Sequence, residues 1–201
     1  MVPVPEVKVR NAASVILWRK AAGTAEVLMG QRGSAAVFMP SKYVFPGGAV
    51  DPQDHSEGHL SVECRLRLAQ HGPTPAPSPE ELAGCALREL HEETGLILRP
   101  AAPMTLVFRA ITPAGSPRRF DARFFLADSV DLTQDNDDFS AATDELSHLH
   151  WIGLDRARDL DLPFITEIIL SEVTALLGGY PQPGVPFFDN SGPVPIFRRL
   201  L

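Results

Sequence analysis

Apolar and β-branched residues dominate positions 13–18 and 26–31, with Ala-Ala-Gly-Thr between them. This pattern predicts a strand, a turn and a second strand. Tyr43, Val44 and Phe45 form a third short strand, and Pro46-Gly47-Gly48 breaks it, freeing the backbone for close approach to another group. Residues 60–68 alternate apolar and polar side chains, which favours a strand by period. Their Glu, Arg, Leu and Ala content favours a helix by propensity, so both readings stay open.

Residues 72–79, rich in proline, read as a loop that ends in a helix start. Ser78 stands at the N-cap, Pro79 at the first helical position and Glu81 at the capping-box position. The helix runs to about Thr94, with Gly95 as its left-handed C-terminal residue. At 100° per residue Ala83, Ala86, Leu87 and Leu90 form an apolar stripe, and Glu89, Glu92 and Glu93 centre roughly 110° away from it.

Further strands are predicted at 105–110, 122–127 and 148–152, with a turn at 113–117 and an acidic loop at 135–145. Residues 163–177 form a helix that buries Ile165, Ile168, Ile169, Val173, Leu176 and Leu177 and stops at Gly178-Gly179. From Tyr180 onward the chain is rich in Pro and Gly and is expected to wrap the surface as a tail. Strands mixed with helices, without regular βαβ alternation, define an α+β sandwich with a mixed sheet.

A length of 201 residues, 44% of them hydrophobic, suits one domain with a substantial core. No apolar run approaches the roughly 18 residues that span a bilayer, and residues 1–6 lack the parts of a signal peptide, so a cytoplasmic protein without a membrane partner is expected. Cys64 and Cys85 show no CxxC or zinc spacing and are read as free thiols, and Cys85 and Met29 are read as packing residues. The net charge of −7 excludes a sequence-independent grip on nucleic acid. The charge is uneven, however: Lys8, Arg10, Arg19, Lys20, Arg32 and Lys42 face only Glu6 and Glu26 in the first fifty residues. That region could receive a small anionic ligand, or could be a solvated basic face.

Glu89, Glu92 and Glu93 are an electrostatic oddity. Like charges three and four residues apart repel by roughly 0.2–0.5 kcal/mol per pair, and acids at a helix C-terminus oppose the dipole by roughly 0.3–1 kcal/mol each. A cation is expected among them.

Gly48, Glu80, Arg88, Glu89, Leu90, Glu92, Glu93, Gly95 and Leu96 resemble the Nudix box, G-x5-E-x7-R-E-U-x-E-E-x-G-U with U aliphatic. From Glu80 onward every fixed position agrees. Before it, 31 residues rather than five separate Gly48 from Glu80, so the pattern implies an insertion over 51–79 within a domain of residues 8–178, followed by a tail at 179–201. Such an insertion is cheap, about 0.6 kcal/mol per doubling of loop length. The resemblance implies a Nudix-type α/β/α sandwich.

The family hydrolyses diphosphates linked to a further group, using Mg²⁺ or Mn²⁺ on hard carboxylate oxygens. Carried over by position, Glu89 and Glu93 are implied metal ligands, Glu92 binds a second ion or poises water, and the Gly47 carbonyl completes a metal's coordination. Arg88 would orient the neighbouring carboxylates. Glu80 is either an ancillary acid on the metal side or a plain helix-start acid. The general base varies across the family; Glu145 is the candidate here, with Asp144 behind it, and solvated loop acids are the alternative. His91 points away from the carboxylates.

Residues 27–34 followed by Phe45-Pro-Gly-Gly48 partially resemble the extra signature of the coenzyme A diphosphatase branch, as does the run Arg119-Phe120-Asp121-Ala-Arg-Phe-Phe125. Arg32, Phe45 and Arg119 are the implied substrate-binding residues, although Arg32 could instead pair with an acid on the sheet. The expected substrate is a nucleotide diphosphate, first coenzyme A or an acyl-CoA, then ADP-ribose or NADH. A Nudix-fold nucleotide-binding regulator without catalysis, and a homodimer, stay open.

Overall fold

The computed structural model describes residues 7–71 and 76–201. Residues 1–6, and positions 72–75 of the expected loop, lie outside the described residues. The first hairpin is longer than its apolar runs. Strands β1 (Val9–Ala21) and β2 (Thr24–Arg32) meet at Ala22-Gly23, whose φ angles of 47° and 89° make the two-residue turn that matches strand twist.

Strand β3 (Tyr43–Val44) pairs with β2, and β4 (Gly47–Ala49) pairs antiparallel with β1. The chain does break at Pro46, as predicted, and the Gly-Gly segment after the break is itself a short strand. The open choice over residues 60–68 resolves as helix: α1 (Val62–His71) starts after Ser61, whose hydroxyl accepts from Cys64 N at 3.1 Å. Helix α2 (Pro79–Thr94) carries the predicted Ser78–Glu81 capping box in both directions and ends on Gly95 at φ 77°.

Strands β5 (Thr105–Ile111), β6 (Arg119–Asp128) and β7 (Leu146–Gly153) precede helix α3 (Phe164–Leu177). The C-terminal segment departs from expectation. It supplies β8 (Val185–Asp189), parallel to β5, and β9 (Ile196–Leu200), antiparallel to β8. Val185 and Phe187 are drawn into the interior, and backbone pairing outweighs the local Pro and Gly content.

The described residues form one mixed sheet in the order β3-β2-β1-β6-β5-β8-β9, with β4 on β1 and β7 on β2. β1 and β6 run parallel over ten residue pairs. Alternation divides the core as the pleat requires: Ala13, Val15 and Leu17 face α1 and α2, and Ile16 faces α3. The result is the predicted α+β architecture, an α/β/α sandwich. Among the described residues no helix is long and apolar enough to cross a membrane.

Candidate active site

Helix α2 buries Leu82, Ala83, Cys85, Ala86 and Leu90 against the sheet, which carries its last two turns past β4. The three acids of that end do not share one environment. Glu93 is 2% exposed and Glu89 9%, whereas the Glu92 side chain is 50% exposed. Gly47 N–H donates to Glu93 Oε2 at 2.8 Å.

The two glycines of β4 are there for space. A Cβ on Gly48 would lie 2.2 Å from Glu89 Oε1, and one on Gly47 would lie 2.0 Å from Ser14 Oγ. The close approach read from the sequence is real, and it is made by a paired strand.

Burial pushes the Glu93 carboxyl up to about 8, against the pull of the Gly47 N–H, with the charge of Glu89 adding to the rise. Glu89 is raised by burial too, although Arg88 opposes it. Two adjacent buried carboxylates thus lack adequate counter-charge. Arg88 Nη1 donates to Glu89 Oε1 at 2.8 Å and Glu92 Oε2 at 3.0 Å, so it does orient the neighbouring acids.

On its other side Arg88 grips Asp54, Nε to Oδ1 at 2.7 Å and Nη2 to Oδ2 at 3.0 Å. The sequence reading passed over Asp54. Its signal was present, since five residues separate Gly48 from Asp54, the spacing at which the box has its first acid. Glu80, by contrast, pairs with Arg65 of α1 at 3.5 Å in the first turn of α2, roughly 13 Å of helix away from Glu89.

Glu89 and Glu93 open onto a cleft of about 420 Å³ whose walls include Phe38, Phe45, Phe120, Phe124, Phe164 and Phe188. Phe38 packs edge-on to Phe120 at 5.3 Å, and Phe164 to Phe188 at 6.3 Å. Arg10, Arg32 and Arg118 line the same cleft, and so does Glu145, from the loop before β7. Arg32 Nε donates to Phe38 O at 3.1 Å. Asp144 is exposed and His91 is exposed, and neither lines the cleft.

Arg119 is a correction. It is buried, donates to Thr112 O at 3.4 Å and takes no part in the cleft wall. Along β6 alternate side chains take opposite faces, so Phe120, Ala122 and Phe124 reach the cleft, as does Arg118 just before the strand, and Arg119 does not. Cys64 and Cys85 are buried free thiols; burial pushes Cys85 up to about 12, consistent with packing. Met29 is buried as well.

Among the described residues no group of three or more His, Cys, Asp or Glu converges to hold a metal by protein ligands alone. Glu92 turns toward Arg88 and solvent instead of closing such a set. The fit to Mg²⁺ or Mn²⁺ rests on Glu89 and Glu93, two hard-oxygen donors with excess negative charge at the edge of an open cleft. A small hard cation bound by few carboxylates completes its shell with water and phosphate oxygens.

An α/β/α sandwich that sets an acid-rich helix end against a Gly-Gly strand defines a Nudix-type protein. A family model described as the NUDIX domain matches residues 8–172, and the chain belongs to that family. It is 34% identical over 158 residues to the Caenorhabditis elegans protein described as nudix hydrolase 7, covering 71% of this chain and 51% of that protein. It is 32% identical over 141 residues to the acyl-coenzyme A diphosphatase NUDT19 of Gallus gallus, covering 54% of this chain and 34% of that protein. The chain therefore spans about half or less of the length of these relatives.

Among solved structures, a Nudix hydrolase from Alicyclobacillus acidocaldarius superposes with a TM-score of 0.60 at 24% identity, covering 82% of this chain and 90% of that one. The Nudix domain of Shewanella oneidensis NrtR, crystallised with ADP ribose, gives 0.58 at 14% identity, covering 85% and 89%. These two likenesses establish the fold.

Proposed function

We propose that this chain is a pyrophosphohydrolase that cleaves a nucleoside diphosphate linked to another group, with coenzyme A or an acyl-CoA as its substrate. The observation that carries the reading is the buried, charge-excessive pair Glu89 and Glu93 opening into an aromatic-walled cleft rimmed by arginines. Acid floor, cationic rim and apolar walls suit the metal-bound diphosphate, its phosphates and an apolar remainder respectively. The likeness to an acyl-CoA diphosphatase supports the choice of substrate.

Glu89 and Glu93 would hold Mg²⁺ or Mn²⁺, with the Gly47 carbonyl beside them; when bound, the ion screens phosphate charge and makes water more acidic. Glu145 takes the proton of the attacking water as its oxygen bonds to phosphorus and the bridging P–O bond breaks. Glu92 poises that water or a second ion, and Arg88 holds Glu89 and Glu92 in register. Arg32 and Arg118 grip phosphate oxygens, and Phe45 packs beside them. The products are 3′,5′-ADP and a 4′-phosphopantetheine.

The test is a Mg²⁺-dependent panel of coenzyme A, acetyl-CoA, ADP-ribose, NADH and a dinucleoside polyphosphate, with products identified by mass. The highest kcat/KM is expected on a coenzyme A derivative, with oxygen from solvent entering one product. Preference for ADP-ribose or NADH would replace the substrate. No turnover, with one compound still raising Tm, would make the chain a nucleotide-binding regulator.

A further inference from the structure

The aromatic cleft crosses five strands in register. Ala12 on β1 pairs with Ala49 on β4 and with Ala122 on β6, Ala122 pairs with Ala110 on β5, and Ala110 pairs with Phe188 on β8. Each of these residues lines the cleft. Four strand spacings separate its ends, roughly 19 Å. Phe120 and Phe124 stand two residues either side of Ala122 on the same face, so the cleft is a furrow with a shallow floor and aromatic sides.

The two ends of the furrow differ in charge. Glu89 and Glu93 stand at the β4 end, against Gly48 and Gly47. The arginines of the cleft, Arg10, Arg32 and Arg118, come from β1, β2 and the approach to β6. At the other end β5, β8 and α3 contribute Ala110, Ile111, Phe188, Phe164, Ile165 and Thr166, none of them charged. Phe188 is half-buried, Phe164 is 65% exposed, and their rings meet edge-on at 6.3 Å. Aromatic surface left in water at the mouth of a cleft is surface that a hydrocarbon can cover.

With a diphosphate at the acids, one half of the substrate leaves across the sheet. The nucleotide half of coenzyme A carries a 3′-phosphate, and β5, β8 and α3 offer that group no cation. The pantetheine half ends in a thioester and its acyl chain, which suit the uncharged end. Resting on the coenzyme A reading above, we propose that Phe164 and Phe188 form an acyl-chain subsite at the β8 end of the cleft and set a preference for longer acyl chains. Phe188 lies beyond residue 172, where the match to the family model ends, so half of this wall comes from outside the matched stretch.

The experiment measures kcat/KM on acetyl-CoA, butyryl-CoA and octanoyl-CoA with Mg²⁺ for the wild type, Phe164→Ala, Phe188→Ala and Ile196→Ala, with Tm for each protein. Each methylene that enters the subsite is expected to raise wild-type kcat/KM by up to about fourfold, so octanoyl-CoA should exceed acetyl-CoA by at least about tenfold. Phe164→Ala and Phe188→Ala should each lower that octanoyl-to-acetyl ratio about tenfold, because each removes an apolar wall. Ile196→Ala changes the same hairpin on exposed β9, outside the cleft, and should keep the ratio.

A wild-type octanoyl-to-acetyl ratio near one overturns the proposal, and so does a Phe164→Ala protein that keeps the wild-type ratio. An Ile196→Ala ratio as low as that of Phe188→Ala overturns it too, since the selectivity would then follow the hairpin's stability and not the cleft wall. Should Phe188→Ala fail to fold, Phe164→Ala carries the test, because Phe164 is an exposed side chain. If the wild type cleaves no coenzyme A derivative, the functional reading fails and calorimetric titration of octanoyl-CoA and acetyl-CoA decides on the subsite. Tighter binding of octanoyl-CoA that Phe164→Ala removes supports it, and equal Kd values or no binding overturn it.

Discussion

On the sheet, Asp121 sits between Arg109 and Arg123; at the end of α2, Arg88 sits among Asp54, Glu89 and Glu92. Arg109 donates to both oxygens of Asp121 at 2.8 and 2.7 Å, and Arg123 reaches Oδ2 at 3.2 Å and Asn11 Oδ1 at 2.7 Å. The Arg109 guanidinium also stacks over Phe187 at 4.3 Å. None of these three charged residues lines the aromatic cleft.

The α2 cluster holds one cation against four acids once Glu93 is counted, and it opens onto solvent on both sides. Glu89 lines the aromatic cleft and also a polar cleft of about 680 Å³ walled by Asp51, Gln53 and Asp54. Both regions bury ions. One gathers two arginines about a single aspartate inside the sheet and joins strands β1, β5 and β6, whereas the other leaves negative charge in surplus beside a cavity. A negative surplus together with access, rather than burial alone, sets apart the region proposed to hold a cation.

The sharpest test of this contrast is Glu93→Gln. Loss of a metal-holding carboxylate is expected to lower kcat about a thousandfold, since such an ion supplies several kcal/mol. Tm of the metal-free protein should rise or stay level, because a buried acid without adequate counter-charge has been neutralised. A Glu93→Gln protein with native kcat would remove Glu93 from the site.

Asp121→Asn should behave in the opposite way. It strands two buried guanidinium groups and is expected to cost about 3–5 kcal/mol of unfolding free energy in denaturant titrations, with kcat per folded molecule unchanged. A stable but inactive variant would show that the sheet cluster belongs to catalysis.

Glu145→Gln tests the proton acceptor: kcat should fall about a hundredfold and KM should barely move. Native kcat would return Glu145 to the status of a solvated loop acid.

A smaller effect is the pH dependence of the metal-free protein. The Glu93 acid is raised to about 8 from an ordinary value near 4.5, so between those limits the native state keeps a proton that the unfolded chain has released. Unfolding free energy therefore falls as pH rises from about 4.5 to 8, and Mg²⁺ should flatten the slope because it substitutes for that proton. Denaturant titrations with and without Mg²⁺ check it; a metal-free protein whose stability rises across this window would contradict the burial of Glu93.

The smallest expected change separates neighbouring arginines. Arg118→Ala should raise KM for coenzyme A about five- to tenfold, the equivalent of about 1 kcal/mol for an exposed charge contact. Arg119→Met should leave KM unaltered, and the reverse pattern would put β6 in the opposite register.

Where a signal is local, the sequence was readable. The Ser78 cap, Glu81 capping box, Gly95 terminus and apolar stripe of α2 depend on residues three or four apart, and all of them stand in the structure. The same holds for the first hairpin and α3. Residues 60–68 were ambiguous because their period and their propensity disagree, and packing of Cys64 and Leu68 into the core decided for helix. The tail was misread because local Pro and Gly content was set against pairing with β5, a strand more than seventy residues earlier.

The carboxylates at 89, 92 and 93 pointed to a cation from spacing alone, since a helix must bring such acids together. Their separate fates, two buried and one half exposed, came from how α2 docks on β4, which no spacing expresses. Arg119 was assigned to substrate because a charged run resembled a family signature. Strand parity turned it inward and left Arg118 at the cleft.

From the sequence alone came the family and the acid-rich helix end on which the proposed activity rests, because that helix end and its glycines are legible as local patterns. Tertiary structure alone decided which acids lose their water, which arginine is interior and that Asp54 closes on Arg88. Those outcomes depend on desolvation and on contacts across more than thirty residues, quantities that a chain acquires only when it packs.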